Sequence, residues 1–150
     1  MSAIRELYQQ VILDHNKSPR NYRTMENASC SAEGFNPLCG DHYTIFVRME
    51  GETLADVSFQ GAGCAISKAS ASVMSSMMKG KTRAEALRDF ETFRELVTRG
   101  LPGGEDPEEF GRMAVFAGVN EFPARVKCAI LPWHALRSAL TSDGTKVTTE

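Results

Sequence analysis

The side chains with most to offer chemically are four cysteines and one aspartate. In "NPLCGDHYTIFV" Cys39 stands two residues before Asp41, at the mouth of an apolar strand; Cys64 closes "GAGC", Cys128 lies in "RVKCAILPW", and Cys30 sits in "NASCSAE". A thiolate is both a nucleophile and a soft-metal ligand, and a neighbouring carboxylate adds a harder oxygen donor. The spacings match neither C-x-x-C nor the paired cysteines of a zinc ribbon, so any shared site must be assembled by folding. In a reducing compartment four cysteines suit metal binding or reactivity better than disulfides. The opposing reading is that cysteine is among the most buried residue types, so that these are core fillers. For Cys64 the two readings balance; for Cys128, set among Val126, Ile130 and Leu131, the core reading is the stronger.

Such a site needs elements to hold it. Ile4, Leu7, Tyr8, Val11 and Ile12 recur at helical spacing and predict an amphipathic helix over about Ala3 to His15. From there to Gly40 the chain is rich in turn formers and reads as a long loop or short irregular strands. Tyr43, Ile45, Val47 and Met49 then alternate with Thr44, Phe46 and Arg48, and "EGET" turns the chain into "LADVSFQ", which makes a β-hairpin with one apolar face. Ile66, Ala69, Val73 and Met77 form one stripe of the next helix, with Gly80 as its stop, so Cys64 falls at a helix N-terminus. There the dipole and unpaired N–H groups favour a thiolate, and Gly61 and Gly63 can adopt φ > 0 and bring their amides near a sulfur.

Thr82 and Glu85 predict a capping box opening a helix with Leu87, Phe90, Phe93, Leu96 and Val97 inward and Gly100 as its end. A loop, "LPGGEDPEEFG", leads to a short helix and turn. A last helix carries Val126, Ile130, Trp133, Leu136 and Leu140. Pro132 has no N–H to offer the Cys128 carbonyl, which predicts a kink beside that cysteine. The polar tail, 141–150, is expected to be mobile. The fold class that follows is α+β in one domain over 1–150: a small antiparallel sheet of about three strands packed against helices, with an N-terminal helix and a C-terminal helical cluster.

The totals exclude several classes. At 150 residues one core is expected, and 42% hydrophobic residues is ordinary for a globular chain. A formal net charge of −2 without a dense basic stretch lacks the electrostatic footprint of a nucleic-acid binder. No apolar run approaches a membrane span, and Arg5 and Glu6 come too early for a signal-peptide apolar region. The expectation is a cytoplasmic protein with neither nucleic acid nor membrane as partner.

Taken in order, "NPLCGDHY", "GAGCAIS" and "RVKCA" resemble the U-type iron-sulfur assembly proteins, the family of IscU, SufU and the N-terminal part of NifU. The likeness runs from "LYQQVILDHNKSPRNY" to "KCAILPWHAL". It implies that Cys39, Cys64, Cys128 and Asp41 are the family's site residues, and it leaves Cys30 a bystander. Within the family the chain is similar to the SufU branch. The residue before Cys128 is Lys127 where the IscU branch has histidine, the L-P-P-V-K segment is absent, and the stretch around Lys81 to Gly104 resembles the SufU insertion. That likeness implies a zinc ion and a SufS-type cysteine desulfurase as the persulfide donor, with a downstream scaffold or apoproteins as recipients.

Three thiolates and a carboxylate are also a chemically sensible tetrahedral set for zinc, and an aspartate among thiolates suits a site whose ligands exchange. Together they leave net negative charge, which should attract Arg125 and Lys127 as outer partners; the alternative for both is a solvated helix face. Cys39, on a loop, is the ligand expected to leave and attack the persulfide. Two rivals stand beside this reading: a scaffold binding a 2Fe-2S cluster through the same residues, and a passive zinc domain that activates its partner. His15 is expected to cap its helix, His42 to lie on the strand surface, His134 on a helix surface, and Met74, Met77 and Met78 in the core or a contact surface.

Overall fold

The computed structural model describes residues 2–100, 107–141 and 147–148. Helix α1 spans Ser2–Lys17, and three strands follow: β1 (Cys30–Asn36), β2 (Asp41–Glu50) and β3 (Thr53–Ala62). Then come α2 (Ala65–Met78), α3 (Arg83–Arg99), a 3₁₀ segment (Pro107–Glu121) broken at Gly111, α4 (Pro123–Thr141) and a short β4 (Val147–Thr148). The three main strands form an antiparallel meander, and β4 runs parallel beside Gly34 and Phe35 of β1. The fold is α+β, as expected. The mobility expected of 141–150 falls largely outside the described residues, although Val147–Thr148 are described as strand.

The alternation in β2 works as read: Tyr43, Ile45 and Val47 are fully buried and meet Leu54, Val57 and Phe59 of β3 under the helices. α4 packs on β1 and β2, α2 on β3 and α4, and α3 on α4 and the 3₁₀ segment. Trp133 anchors this second corner of the core, stacked on Phe93 with ring centroids 4.4 Å apart. The Thr82–Glu85 capping box and the Gly100 stop of α3 are both present.

Two local expectations change. The stretch before Gly40, read as a long loop or short irregular strands, contains a regular seven-residue strand, β1. Its inward positions include Ala32, Gly34 and Asn36, and small or polar residues hide the alternation that apolar ones would show. A Cβ on Gly34 would lie 3.0 Å from Leu131, so the small residue sets how closely α4 approaches. The single stripe expected on α2 is too narrow: Ser67, Ser70, Ser72, Ser75, Met74 and Met78 are buried as well, because α1, α4 and β3 surround the helix. Helix α4 runs on through Pro132 without a break. Among the described residues no helix is long and apolar enough to cross a membrane.

Candidate metal centre

The site forms where the β1–β2 hairpin, the start of α2 and the first turns of α4 meet. Asn36 and Asp41 face each other as the last pair of the hairpin, and the four residues between them make its tip. The tip is closed by Gly40 N–H on the Asn36 carbonyl at 2.8 Å, with Gly40 at φ +74°, a conformation that glycine adopts without strain. This turn leaves Cys39 exposed while its neighbour in space, Cys128, is buried. Their sulfurs lie 3.2 Å apart.

Asp41 is 0% exposed, an unusual place for a carboxylate without a compensating partner. Its Oδ1 accepts the Cys64 backbone N–H at 2.8 Å, and its Oδ2 lies 4.0 Å from the Cys64 sulfur. Cys64 is the N-cap of α2, its sulfur accepting the Ser67 N–H at 3.5 Å. One donor atom from each of Cys39, Asp41 and Cys128 lies within 4.8 Å of the others. Cys64 adjoins this group through Asp41 and Cys128, outside the trio that shares that distance. Of the four residues named from the sequence, three are thus brought together and the fourth stands at their edge.

The electrostatics match this crowding. Burial, and after it the thiols of Cys39 and Cys64 and the Asp41 carboxyl, push the Cys128 thiol far above the ordinary cysteine range. Acids packed this closely around Cys128 suppress its ionisation, and a divalent cation would remove that obstacle. Zinc suits a donor set of three sulfurs and one oxygen, so the residues present fit the ion their types suggest. The neighbours acting most on Cys128 are these acids, and neither Arg125 nor Lys127 is among them. Arg125 is exposed and Lys127 half-buried at the start of α4, so an outer role for either stands only as a proposal.

Gly63 is needed for space and not for a positive φ. A Cβ there would come within 2.4 Å of Asp41 Oδ1, 2.7 Å of Ser67 Oγ and 2.8 Å of the Tyr43 hydroxyl. Gly61 does hold φ +140°, where a side chain would strike the His42 carbonyl. The amide that reaches the site is that of Cys64 itself, not of either glycine.

Three supporting residues went unread in the sequence. Buried Asn36 donates from Nδ2 to the Cys128 sulfur at 3.8 Å, and its Oδ1 accepts the Leu38 N–H at 3.2 Å. Tyr43, taken as plain core, pairs its hydroxyl with Ser67 Oγ at 3.0 Å beneath Cys64. The Asn-Pro opening of the turn was the available clue to Asn36; nothing in sequence pattern marks Ser67. Cys30 begins β1 opposite Val47, at the far end of the strand from Asn36.

The histidines stand apart from the cluster. His42 is exposed and paired with Glu33 at 2.7 Å, as a strand-surface residue. His15 does not simply cap α1: its Nδ1 lies 2.7 Å from Ser72 Oγ. His134 is half-buried against the edge of Phe90, because α3 covers that side of α4.

The family model described as the NifU-like N terminal domain matches residues 7–129. The chain is 39% identical over 139 residues to a Bacillus subtilis protein named zinc-dependent sulfurtransferase SufU, covering 91% of both chains. It is 36% identical over 142 residues to a Streptococcus pyogenes protein named iron-sulfur cluster assembly scaffold protein IscU, covering 93% of this chain and 86% of that one. A crystal structure of the SUF-system protein FiSufU from Fervidobacterium islandicum AW-1 superimposes with a TM-score of 0.80 at 38% identity, over 88% of this chain and 95% of that one. With its three thiols and buried aspartate at the junction of hairpin and helices, this chain belongs to the NifU-like N-terminal domain family.

Proposed function

We propose that the protein acts in iron-sulfur cluster assembly as a zinc-dependent sulfurtransferase, taking persulfide sulfur from a SufS-type cysteine desulfurase and passing it to a downstream scaffold or apoproteins. The observation that carries this is the pairing of an exposed sulfur with a buried one: Cys39 at the hairpin tip, 3.2 Å from Cys128. The name of the B. subtilis relative supports it, as does Lys127 standing before Cys128 where the resemblance to scaffolds would call for histidine.

Cys39, Asp41, Cys64 and Cys128 would hold the zinc, which supplies positive charge that keeps thiols ionised at neutral pH. The rest of the chemistry belongs to the chain. Cys39 can swing outward because only the hairpin tip moves with it. Asp41 stays tied to the Cys64 N–H, and Cys128 stays buried beside Asn36. The Cys39 thiolate attacks the outer sulfur of the partner's Cys–S–SH; the partner's S–S bond breaks, a new S–S bond forms on Cys39, and the partner leaves as a thiolate.

The test is incubation with desulfurase and cysteine, followed by thiol alkylation and peptide mass analysis. An added sulfur is expected on Cys39, and Cys39→Ala should take up none while keeping its fold. Normal loading of that variant, with loading lost in Cys128→Ala, would reassign the acceptor. If no cysteine gains sulfur yet the desulfurase turns over faster, the chain is a passive zinc domain. Iron retained with visible absorbance after anaerobic reconstitution, in place of zinc, would make it a 2Fe-2S scaffold.

A further inference from the structure

Ser76, twelve residues beyond Cys64 on α2, lies about 18 Å further along the helix axis at 1.5 Å per residue. There a concavity opens, of about 580 Å³, lined by His15, Arg20, Asn21, Ser76, Lys79 and Arg112. Its size is that of a small-molecule site. The lining brings cations from three parts of the chain: the α1–β1 connection, the end of α2 and the 3₁₀ segment. No carboxylate is among these lining residues.

The wall is built rather than draped. The Arg20 N–H donates to Ser72 Oγ at 2.8 Å, and the Arg20 carbonyl accepts from Ser75 Oγ at 3.2 Å. Asn21 Nδ2 donates to Ser75 Oγ at 3.0 Å, and the Asn21 carbonyl accepts the Phe59 N–H at 3.0 Å. These bonds hold Asn21 at φ +60°, a conformation that non-glycine residues adopt when their surroundings demand it. So Arg20 is aimed by a fixed backbone.

Two carboxylates compete from outside the lining. Asp14 pairs with Arg20 at 2.7 Å and Asp56 with Lys79 at 3.3 Å. The exposed Asp14–Arg20 pair is worth little in water, and Asp56 is shared with Arg23 at 2.8 Å and holds Lys79 only in part, so a ligand with two or more charges can replace both. Arg112 pairs with no described carboxylate. The C-terminal end of α2 opposes an anion with only about half a charge, less than three cations supply. Their field is felt at His15: burial, then the positive charge of Arg20 with a smaller push from Arg112, hold its pKa below the usual histidine value, while Asp14 acts the other way.

We propose that this cavity is a binding site for a small phosphate-bearing anion, gripped by the guanidinium groups of Arg20 and Arg112 and the Lys79 ammonium, separate from the thiol centre. Two planar forks and a point charge suit the oxygens of phosphate better than those of a single carboxylate.

The experiment is calorimetric titration of the full-length zinc-loaded protein with inorganic pyrophosphate at constant ionic strength, with chloride as the matched control and His15 followed by NMR. One-to-one binding tighter than about 1 mM is expected. Arg112→Gln and Lys79→Gln should each weaken it at least tenfold with unchanged melting temperature, and Cys39→Ala should leave it intact. The His15 titration should move upward on binding. Adenine nucleotide binding no tighter than pyrophosphate would mark the phosphate groups as the whole determinant; tighter binding would make the ligand a nucleotide. The proposal fails if pyrophosphate binds no better than chloride, or if both substitutions leave affinity unchanged. It fails also if a glutamate-rich peptide outcompetes pyrophosphate, which would make the cavity a contact for a protein partner.

Discussion

The two ends of α2 present opposite problems to the same helix. At its start, Cys64 caps the helix beside the buried Asp41, and the neighbouring thiols gather potential negative charge. At its finish, Lys79 and Arg20 gather positive charge around His15. The dipole favours both arrangements, anions at the N-terminus and cations at the C-terminus. What differs is packing. The first end packs Asp41 and Cys128 out of solvent and leaves Cys39 at the surface; the second is open to solvent on one side. A buried end fixes ligands and punishes intrusion, whereas an open end tolerates substitution and binds what passes.

Serines link the two. Ser67 holds Tyr43, Ser70 accepts the Trp133 Nε1–H and donates to the Ala129 carbonyl, Ser72 meets His15, and Ser75 meets Asn21. Small hydroxyl side chains let α1, α4 and the sheet come close on all sides while satisfying the polar groups those neighbours bring.

The comparison breaks first at Gly63. Gly63→Ala drives a methyl into Asp41, Ser67 and Tyr43 at once. It should destabilise the fold by about 3 kcal/mol and, on the proposed zinc reading, lower affinity for that ion about 10- to 100-fold, read from denaturant midpoints and chelator competition. At the hairpin tip, a Cβ on Gly40 meets nothing within 4 Å. Gly40→Ala should therefore cost only about 1–2 kcal/mol, from the positive φ alone. Equal effects of the two substitutions would show that the Asp41 pocket is not tightly packed.

How much of this was legible follows the same division. Apolar alternation placed β2 and β3, and the capping box placed α3, because those elements bury hydrocarbon on one face only. Strand β1 was hidden by Ala32, Gly34 and Asn36, whose inward positions serve close approach and hydrogen bonding. The thiols and Asp41 could be named from motif and type, but their convergence depends on contacts such as Asn36 with Cys128, 92 residues apart along the chain. The cationic end left no motif at all. Its members come from separate elements, and only folding shows that they share a wall.

A smaller effect sharpens the open end. Asn21 sits at φ +60° with its amide on Ser75. Asn21→Ala should lose the hydrogen bond and keep the strain, a cost of about 1–2 kcal/mol. Asn21→Gly should recover most of it, since glycine relaxes the backbone. If alanine and glycine were equally destabilising by thermal melt, the side-chain bond and not the backbone would set the position of Arg20.

The smallest effect is one of pH, and it reads the open end through His15. Burial holds His15 below its ordinary value of 6.5, with Arg20 adding to the shift, and burial does the same to His134. The unfolded chain binds these protons more readily than the folded one. Stability from both groups is therefore complete above the unfolded pKa and declines as pH falls through 6.5 and on toward the lower folded values. His15→Gln, which can keep a bond to Ser72, should flatten the dependence of the denaturant midpoint between pH 7 and pH 5, and His134→Gln should flatten the remainder. Pyrophosphate in the cavity should flatten the His15 share as well, because an anion beside the imidazole raises the folded pKa toward the unfolded one. Its effect on the His134 share, set against Phe90 and outside the cavity lining, should be nil. A pH slope indifferent to His15→Gln would mean that the cationic wall does not act on that ring, and would loosen the contrast between the two ends of the helix.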